Sequence, residues 1–191
     1  MPDVLHVHFN GAGGNIGAGK YNDGAKENRM ILASRVADAM KRSFESAKKF
    51  TLQTEHLQWH STPVALPLGK HIVAAELREK LKTWKPADYW GSPEQLAWAL
   101  RCESGHKIDL SCLKVGDARI LHMPGELFVE YQLAAKKLRP NLNVAMAAYG
   151  DYGPGYIGTE ASYGQGGYEY FSMVCSLFST HCPHQHRRLI I

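Results

Sequence analysis

The chain has 191 residues, of which 45% are hydrophobic and 21% are charged. This length and composition suit one folded domain, or part of a larger one, and exclude an intrinsically disordered polymer. The formal net charge of +4 is modest, and lysines and arginines are spread along the chain instead of clustering with aromatic residues, so no nucleic-acid partner is expected.

Neither the cysteines nor the apolar segments of the sequence identify the cellular compartment of the protein. Cys102, Cys112, Cys175 and Cys182 are scattered and form no legible disulfide framework. The sequence shows no signal peptide, and no run approaches about 20 apolar residues, so we expect no transmembrane segment. The localisation stays unknown at this stage.

The first quarter of the chain predicts a strand, a glycine loop and a long helix. The strand covers residues 4–9, and the helix covers residues 26–48 because its apolar residues recur at a spacing of 3.6 and leave basic residues toward solvent. The apolar positions are Ile31, Leu32, Val36, Met40 and Phe44, and the basic ones are Arg29, Lys41 and Arg42.

The middle of the chain predicts alternating elements. Strands are expected over residues 51–57 and 64–68, a helix over 72–82, and another helix beginning at Ser92 as N-cap with Pro93 in its first turn. A β-hairpin over 107–113 and 118–123, turning at 115–117, follows. This order predicts an α/β fold, with α+β as the alternative, built as a layered sheet sandwich flanked by helices.

A carboxylate lies where the next strand meets a helix. Pro124 and Gly125 end an apolar strand, and a helix is expected from Glu126 to Leu138. A glutamate in the first turn is stabilised by the helix dipole, and α/β proteins build sites at the carboxyl ends of strands. The alternative is that Glu126 only compensates the dipole.

A tyrosine-rich loop follows a strand predicted over residues 144–149. Its breakers are Gly150, Gly153, Pro154, Gly155 and Gly158, and its phenols are Tyr149, Tyr152, Tyr156 and Tyr163. Such a loop cannot form a helix or a long strand, and loops on rigid scaffolds are where binding and chemistry concentrate. An ordered surface loop packed by its own rings is the competing interpretation.

These motifs, in this order, resemble the neutral ceramidase family, particularly its divergent bacterial members. The matching features are Pro-Gly-Glu at a helix start, Tyr-Gly-Asp, and Gly-Tyr-Ile-x-Thr-x-x-x-Tyr-x-x-Gly-Gly-Tyr-Glu. The segment Gly11-Ala12-Gly13-Gly14-Asn15-Ile16 also resembles the family's Gly-Asp-x-Ser-Pro-Asn active-site segment. The resemblance covers much of residues 9–169, and residues 51–116 match poorly.

The resemblance implies a zinc-dependent hydrolase that cleaves the N-acyl amide of a ceramide-like lipid. In that family two histidines from the first half of the domain and a glutamate and a tyrosine from the second half hold the metal, and Glu126 and Tyr156 match the last two. Gly14, Asn15 and Gly17 match the substrate loop. Gly17 lies where the family serine is expected, so the catalytic group is unknown.

The resemblance further implies an incomplete domain. Residues 1–169 are expected to be the C-terminal half of a ceramidase-like catalytic domain, and residues 170–191 a divergent tail, as a frameshift would produce. Both histidine ligands would come from a missing N-terminal half, so this chain alone is expected to be inactive. Unpaired sheet edges would favour self-association. Relatives are often secreted.

Two other functions are alternatives to the hydrolase. A catalytically inactive remnant or binding module would keep the scaffold without the chemistry. Nucleotide binding is disfavoured because Tyr21 follows Lys20 where a P-loop needs Ser or Thr, and because Ile16 replaces the third glycine of a dinucleotide fingerprint.

Other metal sites were also weighed. The pair His6 and His8 would share one face of the opening strand and could substitute for the missing ligands. His56 and His60 have zincin spacing but lack the glutamate between them. The C-terminal Cys175, His181, Cys182, His184 and His186 lack the paired spacing of zinc sites.

Overall fold

The computed structural model describes residues 4–17, 19, 23–88, 91–150, 154–169 and 173–175. These residues form a mixed α/β fold, which confirms the predicted fold class. No helix among them is both long and apolar enough to cross a membrane.

The described strands form two sheets. They are β1 (Leu57–Val64), β2 (Ile108–Val115), β3 (Ala118–Pro124), β4 (Glu126–Leu127), β5 (Asn143–Gly150), β6 (Tyr156–Ile157) and β7 (Met173–Cys175). The larger sheet has the order β1-β2-β3-β5, and the smaller has the order β4-β6-β7. Strands β1, β2 and β3 are antiparallel neighbours, β5 runs parallel to β3, and the pairs in the smaller sheet are parallel.

Four α-helices accompany the sheets in the described residues. They are α1 (Asn28–Ser46), α2 (Ala74–Leu81), α3 (Pro93–Glu103) and α4 (Val129–Leu138). Short 3-10 helices cover Thr54–His56 and Ala161–Gly164. Helix α3 begins as predicted: the Ser92 hydroxyl accepts from the Gln95 N–H at 3.3 Å, and the Gln95 side-chain oxygen accepts from the Ser92 N–H at 3.2 Å.

One hydrophobic core joins the sheets to α2, α3 and α4. Leu77, Leu110, Leu127 and Ile157 are almost fully buried, and Trp98 packs in the same core. The core therefore includes residues of β4 and β6, and the smaller sheet is anchored to the body of the protein through them. Burial of such side chains is the main stabilising contribution to the fold.

Several predicted elements are confirmed. The hairpin is formed by β2 and β3, the strand predicted over 144–149 is β5, and the helices predicted over 26–48 and 72–82 are α1 and α2. Their ends differ from prediction by a few residues. All of these rest on local patterns, namely turn residues, caps and periodicity.

Three predictions are wrong. Residues 4–9 form no strand, and β1 covers Leu57–Val64, where the sequence predicted the end of one strand and the start of another. The helix expected from Glu126 begins at Val129, because Glu126 and Leu127 form β4 opposite Tyr156 and Ile157. The bounds of β1 and β4 are decided by pairing with strands that are distant in sequence, and residues 4–9 form no strand because they have no such pairing.

Candidate functional site

A glycine turn between β3 and β4 brings three chain segments together. Gly125 has φ +58°, its N–H donates to the Gly150 carbonyl at 2.7 Å, and its own carbonyl accepts from the Tyr149 N–H at 2.9 Å. A Cβ at this position would lie 2.5 Å from the Gly155 carbonyl oxygen. Only glycine fits both the left-handed backbone and this close approach.

The turn places Glu126 directly opposite Tyr156. The two are register partners in the parallel pair β4–β6, and the Glu126 N–H donates to the Gly155 carbonyl at 2.8 Å. Opposite residues on neighbouring strands project their side chains to the same face of a sheet, with Cα atoms about 4.8 Å apart. The structure thus brings together the two residues that the resemblance implies as metal ligands.

Two further phenols adjoin this pair. The Tyr156 and Tyr168 hydroxyls are 3.3 Å apart, and their rings meet edge to face at 6.0 Å. Burial raises the pKa of Tyr156, and the hydrogen bond to Tyr168 and the Glu126 carboxylate raise it further. Burial, then the charge of Glu126 and then Tyr168, also raises the pKa of Tyr149. The raised pKa values keep Tyr149 and Tyr156 protonated at neutral pH, so both can donate a hydrogen bond.

Tyr149 is held in an unusual backbone conformation. Its φ is +66°, a value that is uncommon for a residue with a bulky side chain. The hydroxyl lies 3.4 Å from the position that a Cβ on Gly13 would occupy, and both residues line a cavity of about 520 Å³. Its lining residues are Asn10, Gly11, Ala12, Gly13, Ile16, Gln132 and Tyr149. Strained residues of this kind concentrate at functional sites.

The glycine segment is fastened to the start of α4. The Gly14 N–H donates to the Leu127 carbonyl at 2.8 Å, and a Cβ on Gly14 would collide with the Glu126 carbonyl oxygen. The Asn15 side-chain oxygen accepts from the Val129 N–H at 2.9 Å, and its amide donates to the Glu130 carboxylate at 2.9 Å. Asn15 therefore caps α4 from 114 residues away.

The third residue of the predicted substrate loop lies apart. Gly17 is exposed, and a Cβ built on it would meet no atom within 4 Å. Asn15 also lines a second cavity, of about 320 Å³, with residues of α4 and of the segment 159–169. Gly14 and Asn15 thus lie against the Glu126 segment, whereas Gly17 does not.

The candidate histidines are separate from Glu126 and Tyr156 in sequence and in element. His6 and His8 do not lie on a strand, so the predicted shared strand face is wrong; His8 Nε2 is 3.0 Å from Asn10 Oδ1. His56 lies in a 3-10 helix and accepts from the Gln53 N–H at 3.0 Å. Within the described ranges no group of three or more His, Cys, Asp or Glu side chains could hold a metal ion.

Some sequence features fall outside the described residues. They include Lys20 and Tyr21 of the P-loop-like segment and His181, Cys182, His184 and His186 of the tail. Conversely, sequence reasoning missed Gln132, whose side-chain oxygen accepts from the Ala12 N–H at 3.1 Å, and assigned no role to Tyr149 or Tyr168. Tyr168 is part of the motif that resembles the ceramidase family, so its inclusion was available from the sequence.

Comparison with known proteins was largely negative. No protein-family model matches the chain, and no curated protein does. Among solved structures, neutral ceramidase from Pseudomonas aeruginosa is similar with a TM-score of 0.49 and 12% sequence identity, over 88% of this chain and 34% of that one. The chain therefore spans about a third of the length of that protein.

Proposed function

We propose that this chain carries part of the site of a zinc-dependent hydrolase of the neutral ceramidase type, which cleaves the N-acyl amide of a lipid. The observation that supports the proposal is the register pairing of Glu126 with Tyr156 across β4 and β6. The resemblance to the neutral ceramidase family implies these two residues as ligands. A carboxylate and a phenol presented on one face supply two oxygen donors.

The chemistry of this donor set is compatible with zinc. Zinc accepts carboxylate and other oxygen ligands, and when bound it lowers the pKa of water and polarises a carbonyl group. The Glu126 charge that helps keep Tyr156 protonated would be neutralised by a divalent cation, so the phenol can ionise as it coordinates. Two residues make only half of a zinc site. In this proposal the remaining ligands are two histidines from the N-terminal half of the catalytic domain.

The surrounding residues would position the substrate. Gly13 lines the 520 Å³ cavity and carries no side chain, so a substrate can approach its backbone there. Gly14 lacks a side chain where it packs against the backbone of β4. Tyr149 also lines the cavity, and its protonated hydroxyl can donate to an amide carbonyl oxygen. Asn15 holds the glycine segment against α4, so it orients this wall of the cavity.

One observation favours a second candidate, a catalytically inactive module that keeps the scaffold. Gly17 stands where the family places its serine, and it has no hydroxyl to act as a nucleophile or to stabilise an oxyanion. Such a module would bind a lipid amide without cleaving it. Hydrolysis of an N-acyl lipid amide by the chain, assayed with zinc and imidazole, would exclude the inactive module.

Calorimetric zinc titration with imidazole in solution tests the metal site, because free imidazole can replace the histidine ligands. We expect weak zinc binding that imidazole strengthens, and proton release at neutral pH as Tyr156 ionises. The Glu126→Gln and Tyr156→Phe variants should each lose this binding. Glu94→Gln, on the exposed side of α3, should retain it and serves as the charge-matched control.

Equal zinc affinity in the wild type, Glu126→Gln and Tyr156→Phe would contradict the assignment. That result would locate the metal elsewhere in the chain. Absence of zinc binding both with and without imidazole would also contradict it, since the two oxygen donors are then unable to form a site with imidazole.

We also propose that residues 1–169 are the C-terminal half of such a catalytic domain, with residues 170–191 as a divergent tail. We propose in addition that this chain associates with copies of itself through exposed sheet edges. The outer edge of β1 has no paired strand among the described residues, and Leu57 and Trp59 on it are about half exposed. Open edges of this kind pair with other chains. Sedimentation velocity over a range of concentrations measures the effect.

A further inference from the structure

Helix α1 differs from the other described helices in burying none of its 19 residues. Helices α2, α3 and α4 each bury at least two. At 1.5 Å per residue α1 is about 28 Å long. An isolated helix gains little stability from propensity alone, so a helix of this length normally has a packing partner for its apolar face.

The apolar face of α1 is continuous and exposed. Leu32, Val36, Met40 and Phe44 recur every four residues, with Ala33 and Ala37 beside them; all are exposed except Phe44, which is partly buried. Met30 is 70% exposed, Val36 59% and Met40 44%. Exposed apolar surface that is continuous marks a contact site, whereas single exposed apolar residues do not.

Charge is concentrated around this helix. Seven of the 22 lysines and arginines of the chain, but only three of its 18 aspartates and glutamates, lie in residues 26–49. That segment alone therefore accounts for the formal net charge of +4, and the remaining residues sum to zero. The basic residues are dispersed along the whole chain, but the excess of positive charge is local.

The charges are also sorted around the helix axis. At about 100° per residue, Arg35 and Lys41 lie at the two edges of the apolar face, whereas Asp38 and Glu45 lie opposite its centre and Arg42 lies beside Asp38 on the polar side. Lys41 Nζ is 4.0 Å from Glu45 Oε1, but both side chains are more than half exposed, so this pair is weak. Arg29 lies at the N-terminal end of the apolar face and not on the solvent side that the sequence pattern predicted, and its long stem can extend to a polar layer.

We propose that α1 docks on the surface of a membrane that contains anionic lipids, with its apolar face in the interface. An amphipathic helix with basic edges is the arrangement that such surfaces bind: apolar side chains enter the headgroup boundary, and lysine and arginine contact anionic headgroups. Acidic residues on the far side stay in water. The inference does not rest on the proposed hydrolase, because it uses no residue of that site.

Vesicle flotation of the full chain tests the proposal. We expect binding to vesicles of equal parts phosphatidylcholine and phosphatidylserine, and much weaker binding to phosphatidylcholine alone. Arg35→Ala with Lys41→Ala should weaken binding to the anionic vesicles roughly 20-fold. Val36→Asp with Met40→Asp should abolish it. Lys136→Ala with Lys137→Ala, exposed on α4, removes the same charge and should leave binding unchanged.

Several outcomes would overturn the proposal. They are the absence of binding to anionic vesicles, equal binding to both vesicle types, equal weakening by the α4 control, and a dimer that only Val36→Asp with Met40→Asp dissociates. The last would show that a second copy covers α1. The aspartate variant must retain the circular dichroism and unfolding midpoint of the wild type, since a loss of folding would show that the face is packed and also overturn the proposal. Vesicle binding without zinc binding, or the reverse, separates this inference from the proposed function.

Discussion

Helices α1 and α3 have similar sequence patterns and opposite environments. Both are amphipathic, and both were predicted from apolar spacing or caps. Helix α3 buries Gln95, Trp98 and Ala99 and packs against α2, whereas α1 buries no residue. The comparison shows that periodicity determines where a helix forms and which face is apolar. What covers that face depends on the rest of the fold or on a partner.

The largest expected difference is in the free energy of unfolding, when a leucine is changed to alanine on a packed helix and on the exposed helix α1. Leu77 on α2 is 0% exposed, and Leu32 on α1 is 38% exposed. Leu77→Ala should lower the free energy of unfolding by about 4 kcal/mol, because it leaves a cavity in the core. Leu32→Ala should lower it by less than about 1 kcal/mol. Urea unfolding followed by circular dichroism measures both, and equal losses would show that α1 is packed.

A glycine series tests the turn that supports the candidate site. Gly125→Ala combines a left-handed φ with a close approach to the Gly155 carbonyl and should cost about 3 kcal/mol. Gly105→Ala, with φ +74° and open space around it, should cost about 1 kcal/mol. Gly17→Ala has neither feature and should change stability by less than about 0.5 kcal/mol.

Urea midpoints at equal protein concentration rank the three variants. A Gly125→Ala protein as stable as Gly17→Ala would refute the packed turn beside Glu126. It would also remove the structural basis for pairing Glu126 with Tyr156, because that pairing depends on the turn.

The smallest expected effect is on the rate of thiol alkylation, which differs between the packed interior and the exposed helix α1. Burial raises the pKa of Cys102 and of Cys112, and Arg119 lowers the latter only in part. A raised pKa means less thiolate, so iodoacetamide at pH 8 should modify both slowly in the folded protein. A cysteine introduced by Ser34→Cys on exposed α1 should react at the rate of an unfolded peptide. Peptide mass spectrometry over time measures each site, and equal rates would contradict the packed interior.

The same pKa shifts make stability depend on pH. A thiol whose pKa is higher in the folded state keeps its proton after the unfolded chain has lost it, so its contribution to stability is complete below the ordinary pKa of 9.0 and declines as the pH rises through the folded value. Cys112→Ala should flatten this decline. Urea midpoints from pH 7 to pH 10 measure the slope, and an unchanged slope would show that Cys112 does not contribute to it.

Elements that depend on neighbouring residues were predicted correctly, whereas β1 and β4, which pair with distant segments, were not. The β2–β3 hairpin and the start of α3 follow from residues within a few positions of each other, and both predictions are confirmed. The prediction for β1 was displaced by several residues, because its register is set by pairing with β2, some fifty residues later. Glu126 was expected in a helix and lies in β4, because its partner is Tyr156.

The sequence by itself determined the mixed α/β class and the amphipathic helices, which depend on local patterns. The choice of Glu126 and Tyr156 as candidate ligands came from the resemblance of the motif order to the neutral ceramidase family. Only the tertiary structure decided that the two residues face each other, that Asn15 caps α4 from 114 residues away, and that the apolar face of α1 is uncovered. The physical reason is that each of these depends on contacts, or a lack of contacts, between segments distant in the chain, and periodicity carries no information about distant partners.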